Sequence, residues 1–129
     1  MIARYTRPEL GALWTDQAKM DAWRDVEVAA AEALDGPTDE DLKAIRAATF
    51  TVEAVKERER VTDHDVAAFV DVLGASAGAA GRWIHFGLTS SDVLDTALGE
   101  TTHAARDHAY AAADVIRFEG RQLRRDIAA

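Results

Sequence analysis

The stretch from Ser91 to Ala129 contains no proline, and its apolar residues recur at the spacing of one helix face. These residues are Val93, Leu94, Ala97, Leu98, Ala105, Ala109, Ala112, Val115, Ile116 and Leu123. A continuous helix over this stretch would be about 55–60 Å long, which exceeds the diameter of a domain of this size. The sequence therefore predicts a helix that packs in a bundle with other helices, and a chain that is the first part of something larger.

The preceding residues also predict helices, whose starts are marked by threonine, a side chain that can accept a hydrogen bond from a first-turn N–H. The expected caps are Thr6, Thr15, Thr38, Thr51 and Thr62. The glycines at 74, 78 and 81 predict a flexible loop. The predicted fold class is all-α: a small helical N-terminal domain, residues 1–88, leads into the first long helix of a helical bundle, residues 89–129.

Charge and composition limit the partners of the chain. Its formal net charge is −8, so nucleic acid and anionic membranes are not expected to bind it. The segment from Arg117 to Arg125 holds a basic cluster, but acidic residues interrupt it. No stretch is long and apolar enough for a membrane span, and residues 1–8 lack the apolar core of a signal peptide. The absence of cysteine excludes thiolate chemistry and agrees with the expected cytoplasmic location.

The segment from Trp83 to Asp92 places a histidine and several hydroxyls at the start of the long helix. Helix starts bind anions, because their first N–H groups lack intrahelical partners and the helix dipole is positive there. His85, Thr89 and Ser90 are therefore candidate ligand-binding residues. The alternative is a well-capped helix and nothing more, since Asp92 follows Thr89 at capping-box spacing.

Two further groups could carry chemistry. His64 lies between Asp63 and Asp65 at another predicted helix start, where a histidine is a candidate substrate donor or proton-transfer group. Arg4 and Tyr5 stand near the N-terminus, and an arginine fork suits phosphate or carboxylate. The alternatives are a surface histidine and a mobile basic tail.

Signatures of several other chemistries are absent from the sequence. It contains no glycine-rich phosphate loop and no Gly-x-Ser-x-Gly elbow. His103 and His108 lack the spacing of a helical metal motif, and no acidic pattern supports a metal site on His64 and His85. No metal ion is expected.

Three blocks of the sequence together resemble the N-terminal region of the adenylosuccinate lyase family, within the fumarase/aspartase superfamily. Their order and spacing fit as well, so the resemblance covers most of the chain. The blocks are Ile2-Ala-Arg-Tyr-Thr-Arg-Pro-Glu-Leu-Gly-Ala-Leu-Trp14, His64-Asp-Val-Ala-Ala-Phe69 and Trp83-Ile-His-Phe-Gly-Leu-Thr-Ser-Ser-Asp-Val-Leu-Asp-Thr-Ala-Leu98.

The resemblance implies a carbon–nitrogen lyase that eliminates fumarate from adenylosuccinate, giving AMP, and from the succinyl-carboxamide intermediate of purine synthesis. It implies no metal or organic cofactor, and a homotetramer assembled through a bundle of long helices. Polar groups at two separate helix starts would then converge on a doubly acidic nucleotide.

The resemblance also assigns roles to residues. Arg4 and Tyr5 would contact the phosphate end of the nucleotide. His64 and Asp65 match the family's His-Asp pair, in which the histidine would transfer a proton or bind phosphate. The remaining roles fall in the third block: Thr89 and Ser90 would hold a carboxylate of the succinyl group, and His85 would support nucleotide binding.

The sequence departs from the family in three respects. Asp63 stands where the family often has a basic residue, and the connection over residues 34–37 is short. The family's mobile serine loop and second histidine find no match, so these residues are expected to show no turnover by themselves. The alternatives are a related enzyme, such as argininosuccinate lyase or a cycloisomerase, and a non-catalytic helical interaction module.

Overall fold

The computed structural model of this chain describes residues 5–115, with the side chains of its last helix described at 90–104 and 107. The helices, numbered in chain order, are α1 (Pro8–Ala12), α2 (Asp16–Glu32), α3 (Asp39–Ala47), α4 (Val52–Thr62), α5 (Asp65–Ala77) and α6 (Ser90–Val115), with a 3₁₀ helix at Gly78–Trp83. The described residues contain no strand, and the predicted all-α class is confirmed. The predicted division at residue 88 stays a prediction, and the predicted helical residues 116–129 lie outside the described part of the chain.

Helices α2, α3 and α4 start at predicted threonine caps. The hydroxyl oxygens of Thr15, Thr38 and Thr51 each accept a hydrogen bond of 3.1 Å from the backbone N–H three residues on. Asp41 completes a capping box by accepting the backbone N–H of Thr38 at 3.1 Å. Each cap satisfies N–H groups that would otherwise lack a partner, and helices α2, α3 and α4 therefore begin where the sequence predicts.

Two predicted caps were wrong. The residue before α1 is Arg7, which makes no side-chain capping bond, and Pro8 occupies the first helical position where its missing N–H does no harm. Thr62 is the last residue of α4, and its hydroxyl donates to the carbonyl oxygen of His64 at 3.0 Å. The chain reverses at Asp63, whose φ of 49° lies in the left-handed region, and His64 caps α5 instead. An imidazole thus occupies the position that the prediction gave to a hydroxyl.

The predicted flexible loop around the glycines at 74, 78 and 81 was also wrong. Gly74 lies within α5, and the chain turns at Gly78, with a φ of 62°, into the 3₁₀ helix. The backbones of Gly81 and Gly74 touch there, so that a Cβ atom on Gly81 would overlap the carbonyl oxygen of Gly74. The missing side chains therefore allow the 3₁₀ helix to pack closely on α5, whereas the prediction took the glycines as a sign of flexibility.

The core lies between α2 and α5 and extends to the first turns of α6. Phe69 of α5 is fully buried, and its ring meets the rings of Trp23 and Phe50 edge-on at centroid distances of 5.5 and 5.2 Å. Val93 is fully buried as well and joins α6 to this core. Because the starts of α5 and α6 are anchored in one core, they are held next to each other. Among the helices within residues 5–115, none combines the length and apolar character that crossing a bilayer requires.

Candidate functional site

The starts of α5 and α6 meet at a contact between two predicted site residues. His64 caps α5 and Ser90 is the first residue of α6, and the imidazole Nε2 atom lies 3.3 Å from the hydroxyl oxygen of Ser90. The N-terminal ends of two helices therefore open at one place on the surface. Such ends carry partial positive charge and unpaired N–H groups, which together favour an anionic ligand.

The capping role of His64 determines which ring nitrogen carries the proton in the neutral ring. Its Nδ1 atom accepts the backbone N–H of Ala67 at 3.4 Å, so the proton of the neutral imidazole belongs on Nε2. That N–H then points to the oxygen of Ser90, which leaves the serine hydroxyl proton available to an acceptor. Asp65 stands 3.6 Å from Nδ1, too far for a hydrogen bond, and accepts the N–H of Val66 at 2.8 Å instead. The side chain of His64 is 48% exposed and is open to a ligand.

Thr89 and Asp92 form a capping box at the start of α6. Asp92 accepts both the backbone N–H and the hydroxyl proton of Thr89, at 2.7 and 2.8 Å, and its own N–H faces the hydroxyl oxygen of Thr89 at 3.4 Å. The proton of the Thr89 hydroxyl is thus already donated within the protein, whereas that of Ser90 is available. The predicted substrate contact of Thr89 stays a prediction, and the capping alternative describes its observed bonds.

His85 makes a contact that sequence reasoning missed. Its backbone N–H donates to one carboxylate oxygen of Glu27 at 2.6 Å, and its Nδ1 atom lies 2.6 Å from the other oxygen. Glu27 is fully buried in α2, on the face that also buries Met20, Trp23 and Ala31. The available signal was a glutamate on the apolar stripe of a helix, because a carboxylate is rarely buried without a partner.

Two predicted site residues belong to the N-terminal segment. Arg4 lies outside the described residues, so its predicted phosphate contact stays a prediction. Tyr5 precedes α1 and is 74% exposed, and its predicted nucleotide contact stays a prediction as well. Within residues 5–115, no group of three or more histidine, aspartate or glutamate side chains is arranged to hold a metal ion.

The capping carboxylate of Asp92 predicts a pH dependence of stability. The hydrogen bonds from Thr89, and to a smaller extent the charge of the nearby His85, lower its pKa from the usual 3.8. A carboxyl with a lower pKa in the folded state contributes stability above pH 3.8, and this contribution is lost as the pH falls through the folded-state pKa. We expect Asp92→Asn to be less stable than the unmodified chain at neutral pH, and the difference to shrink as the pH falls below 3.8 and through the lower folded-state pKa of Asp92.

Urea unfolding of both proteins at several pH values measures this difference. Thr51→Ala is the control, because its hydroxyl caps α4 without a carboxylate partner at the third helical position. Its loss of stability should be the same across the range. A difference between Asp92→Asn and the unmodified chain that stays constant down to about pH 2 would contradict the prediction.

Comparison with known proteins places the chain beside one group of enzymes. No known protein-family model matches it. Curated proteins named adenylosuccinate lyase do: that of Bacillus subtilis is 44% identical over 111 residues, that of Aquifex aeolicus 46% over 114, and that of Synechocystis sp. 45% over 113. Each match covers 83% of this chain, and the chain spans about a quarter (26%) of each relative's length.

Proposed function

We propose, because the chain matches the N-terminal region of adenylosuccinate lyase, that it supplies part of the substrate site of such an enzyme. The reaction would be elimination of fumarate from adenylosuccinate, giving AMP, and from the succinyl-carboxamide intermediate. The observation that carries the proposal is the 3.3 Å contact between His64 and Ser90, where the starts of two helices meet. Both residues lie in the sequence blocks that resemble the family.

The substrate's chemistry suits this place. Adenylosuccinate carries a phosphate and two carboxylates, which are acceptors of the kind that helix N-termini and hydroxyl groups bind. In the proposed site Ser90 donates its hydroxyl proton to a succinyl carboxylate. Thr89, which caps the same helix, contacts the same carboxylate. His64 transfers a proton or binds phosphate, with Asp65 beside it.

Other residues complete the proposed site. Arg4 and Tyr5 would contact the phosphate end of the nucleotide, and His85 would support nucleotide binding. Elimination needs a base for the carbon-bound proton and an acid for the leaving nitrogen. His64 supplies at most part of these, and the chain spans about a quarter of its relatives' length. We therefore propose that residues 1–129 show no turnover without further groups. A separate part of the proposal is that the enzyme acts in the cytoplasm.

The proposal is tested by titrating the chain with adenylosuccinate and recording amide chemical shifts. We expect saturable shifts centred on His64, Thr89 and Ser90. Ser90→Ala should weaken binding by about tenfold to a hundredfold, because a hydrogen bond to a charged group contributes roughly 1.5–3 kcal/mol. Ser91→Ala is the matched control: Ser91 is the exposed neighbour in the same helix, and its loss should leave the affinity unchanged.

The same titration separates the proposal from its alternatives. A related lyase would respond to argininosuccinate in place of adenylosuccinate. A non-catalytic interaction module would show no saturable shift at His64 or Ser90 with either compound, even at millimolar concentration. Equal loss of affinity in Ser90→Ala and Ser91→Ala would also count against a carboxylate bound by the Ser90 hydroxyl.

Self-association is a second part of the proposal. Leu98 and Leu94 of α6 are 54% and 36% exposed, and with Trp14 they line an apolar groove of about 230 Å³ between α6 and the N-terminal helices. Exposed apolar surface of this kind favours association. We propose a homo-oligomer, a tetramer in the complete enzyme, that uses the predicted stripe of Leu94, Leu98, Ala105 and Val115, of which the last two side chains lie outside the described ones. Light scattering should show a mass above that of the monomer, and a strict monomer at high concentration would contradict it.

A further inference from the structure

We infer that Glu27 is a positioning residue for His85: its carboxylate holds the ring with the Nδ1 proton directed into the protein and leaves Nε2 as the nitrogen that a ligand can reach. The part of this inference that concerns the ligand rests on the proposed function. The part that concerns the ring rests on the contacts of Glu27 alone.

Glu27 binds His85 at two points. One oxygen accepts the backbone N–H at 2.6 Å and the other lies 2.6 Å from Nδ1, so both carboxylate oxygens are used by a single residue. Glu27 is fully buried, whereas the side chain of His85 is 23% exposed. An ionised carboxylate only accepts hydrogen bonds, so Nδ1 must carry a proton and the opposite nitrogen, Nε2, is the free one.

The backbone of His85 also needs this anchor. Its φ of 63° lies in the left-handed region. A residue with a Cβ atom adopts this region at an energetic cost, which contacts with its surroundings must offset. Gly87 follows with a φ of 79°, and Thr89 then caps α6, which begins at Ser90. The bond from the His85 N–H to Glu27 therefore fixes the ring and the turn that leads to Ser90.

Glu27→Gln separates positioning from simple packing, because glutamine has nearly the same size but only one acceptor oxygen. The backbone N–H of His85 needs that oxygen, so the amide NH₂ group is left facing Nδ1. Nδ1 must then accept and the ring proton must move to Nε2. Glu32→Gln is the matched control, since Glu32 lies on the same helix and pairs with Arg46 at the surface.

The experiment is nitrogen NMR of the histidine rings at about pH 9, where an ordinary imidazole is neutral. The His85 signal is identified by its loss in His85→Asn. We expect a protonated Nδ1 in the unmodified chain and in Glu32→Gln, and a protonated Nε2 in Glu27→Gln. Because the unmodified chain is measured first, failure of Glu27→Gln to fold would not remove the test.

A protonated Nε2 in the unmodified chain would overturn the inference, and so would an unchanged ring in a folded Glu27→Gln. Addition of AMP then tests the ligand part. We expect the Nε2 signal of His85 to shift on saturation, and Glu27→Gln to lower the AMP affinity about tenfold while Glu32→Gln does not. If the ring proton moves as expected but AMP shifts no signal of His85, the positioning role of Glu27 stands and the proposed nucleotide contact of His85 is contradicted.

Discussion

Replacing Phe69 with alanine is expected to lower the free energy of unfolding by about 3–5 kcal/mol. The ring is fully buried and lies edge-on against both Trp23 and Phe50. Its removal leaves a cavity that these two rings, each attached to a different part of the chain, cannot both close. Since domains of this size are stable by roughly 5–15 kcal/mol, the loss would be a large fraction of the total.

Urea unfolding followed by circular dichroism measures this effect, and Phe86→Ala is the matched control. Phe86 is 57% exposed, and one of its ring contacts is with Trp83. The control should lose about 1 kcal/mol or less, because most of its surface is hydrated in the folded state already. Equal losses for the two variants would contradict the placement of Phe69 at the centre of the core. The same substitution should also make the start of α5 more mobile, because Phe69 lies only five residues beyond His64 and the candidate site.

Replacing Glu27 with alanine is expected to lower the free energy of unfolding by about 3 kcal/mol. Both hydrogen bonds to His85 are lost, and its backbone N–H is left inside the protein without the carboxylate that accepts it. The expected loss lies at the lower end for a broken buried pair, because the side chain of His85 is 23% exposed and water can reach part of it. The left-handed turn at His85 should become mobile as well.

The matched control is Glu32→Ala on the same helix. Glu32 pairs with Arg46 at 2.7 Å, but both side chains are exposed, so this ion pair contributes less than about 1 kcal/mol. Thermal unfolding of the two variants under one set of conditions gives the comparison. If Glu27→Ala were no less stable than Glu32→Ala, the contact between Glu27 and His85 would not stabilise the fold.

Predictions from the sequence were right where the deciding interaction is local. Thr15, Thr38 and Thr51 each cap a helix by a bond to the residue three positions on, which the sequence alone reveals. Thr62 carries the same local signal but lies at the end of α4, because the chain reverses at Asp63 and His64 takes the capping position. The reversal of the chain between α4 and α5 is a tertiary feature, which a capping pattern by itself does not reveal.

The candidate site was predicted in part for the same reason. His64, Thr89 and Ser90 stand beside helix starts, which is why the sequence makes them candidates for binding an anion. His64 and Ser90 are 26 positions apart in the sequence. Their 3.3 Å contact depends on how α5 and α6 share one core. The resemblance to a family indicated that His64 and Ser90 belong to one site. Helical periodicity and capping patterns alone could not have predicted that the two side chains lie next to each other.

The sequence determined the helical class and most helix starts, since both follow from hydrogen bonds and side-chain spacing within a few residues. Only the tertiary structure decided which distant groups become partners. Glu27 and His85 are 58 positions apart, and the position of a glutamate on an apolar helix face does not indicate which residue will pair with it. The reason is that a buried carboxylate requires a donor but does not specify one, and the packing of the helices supplies it.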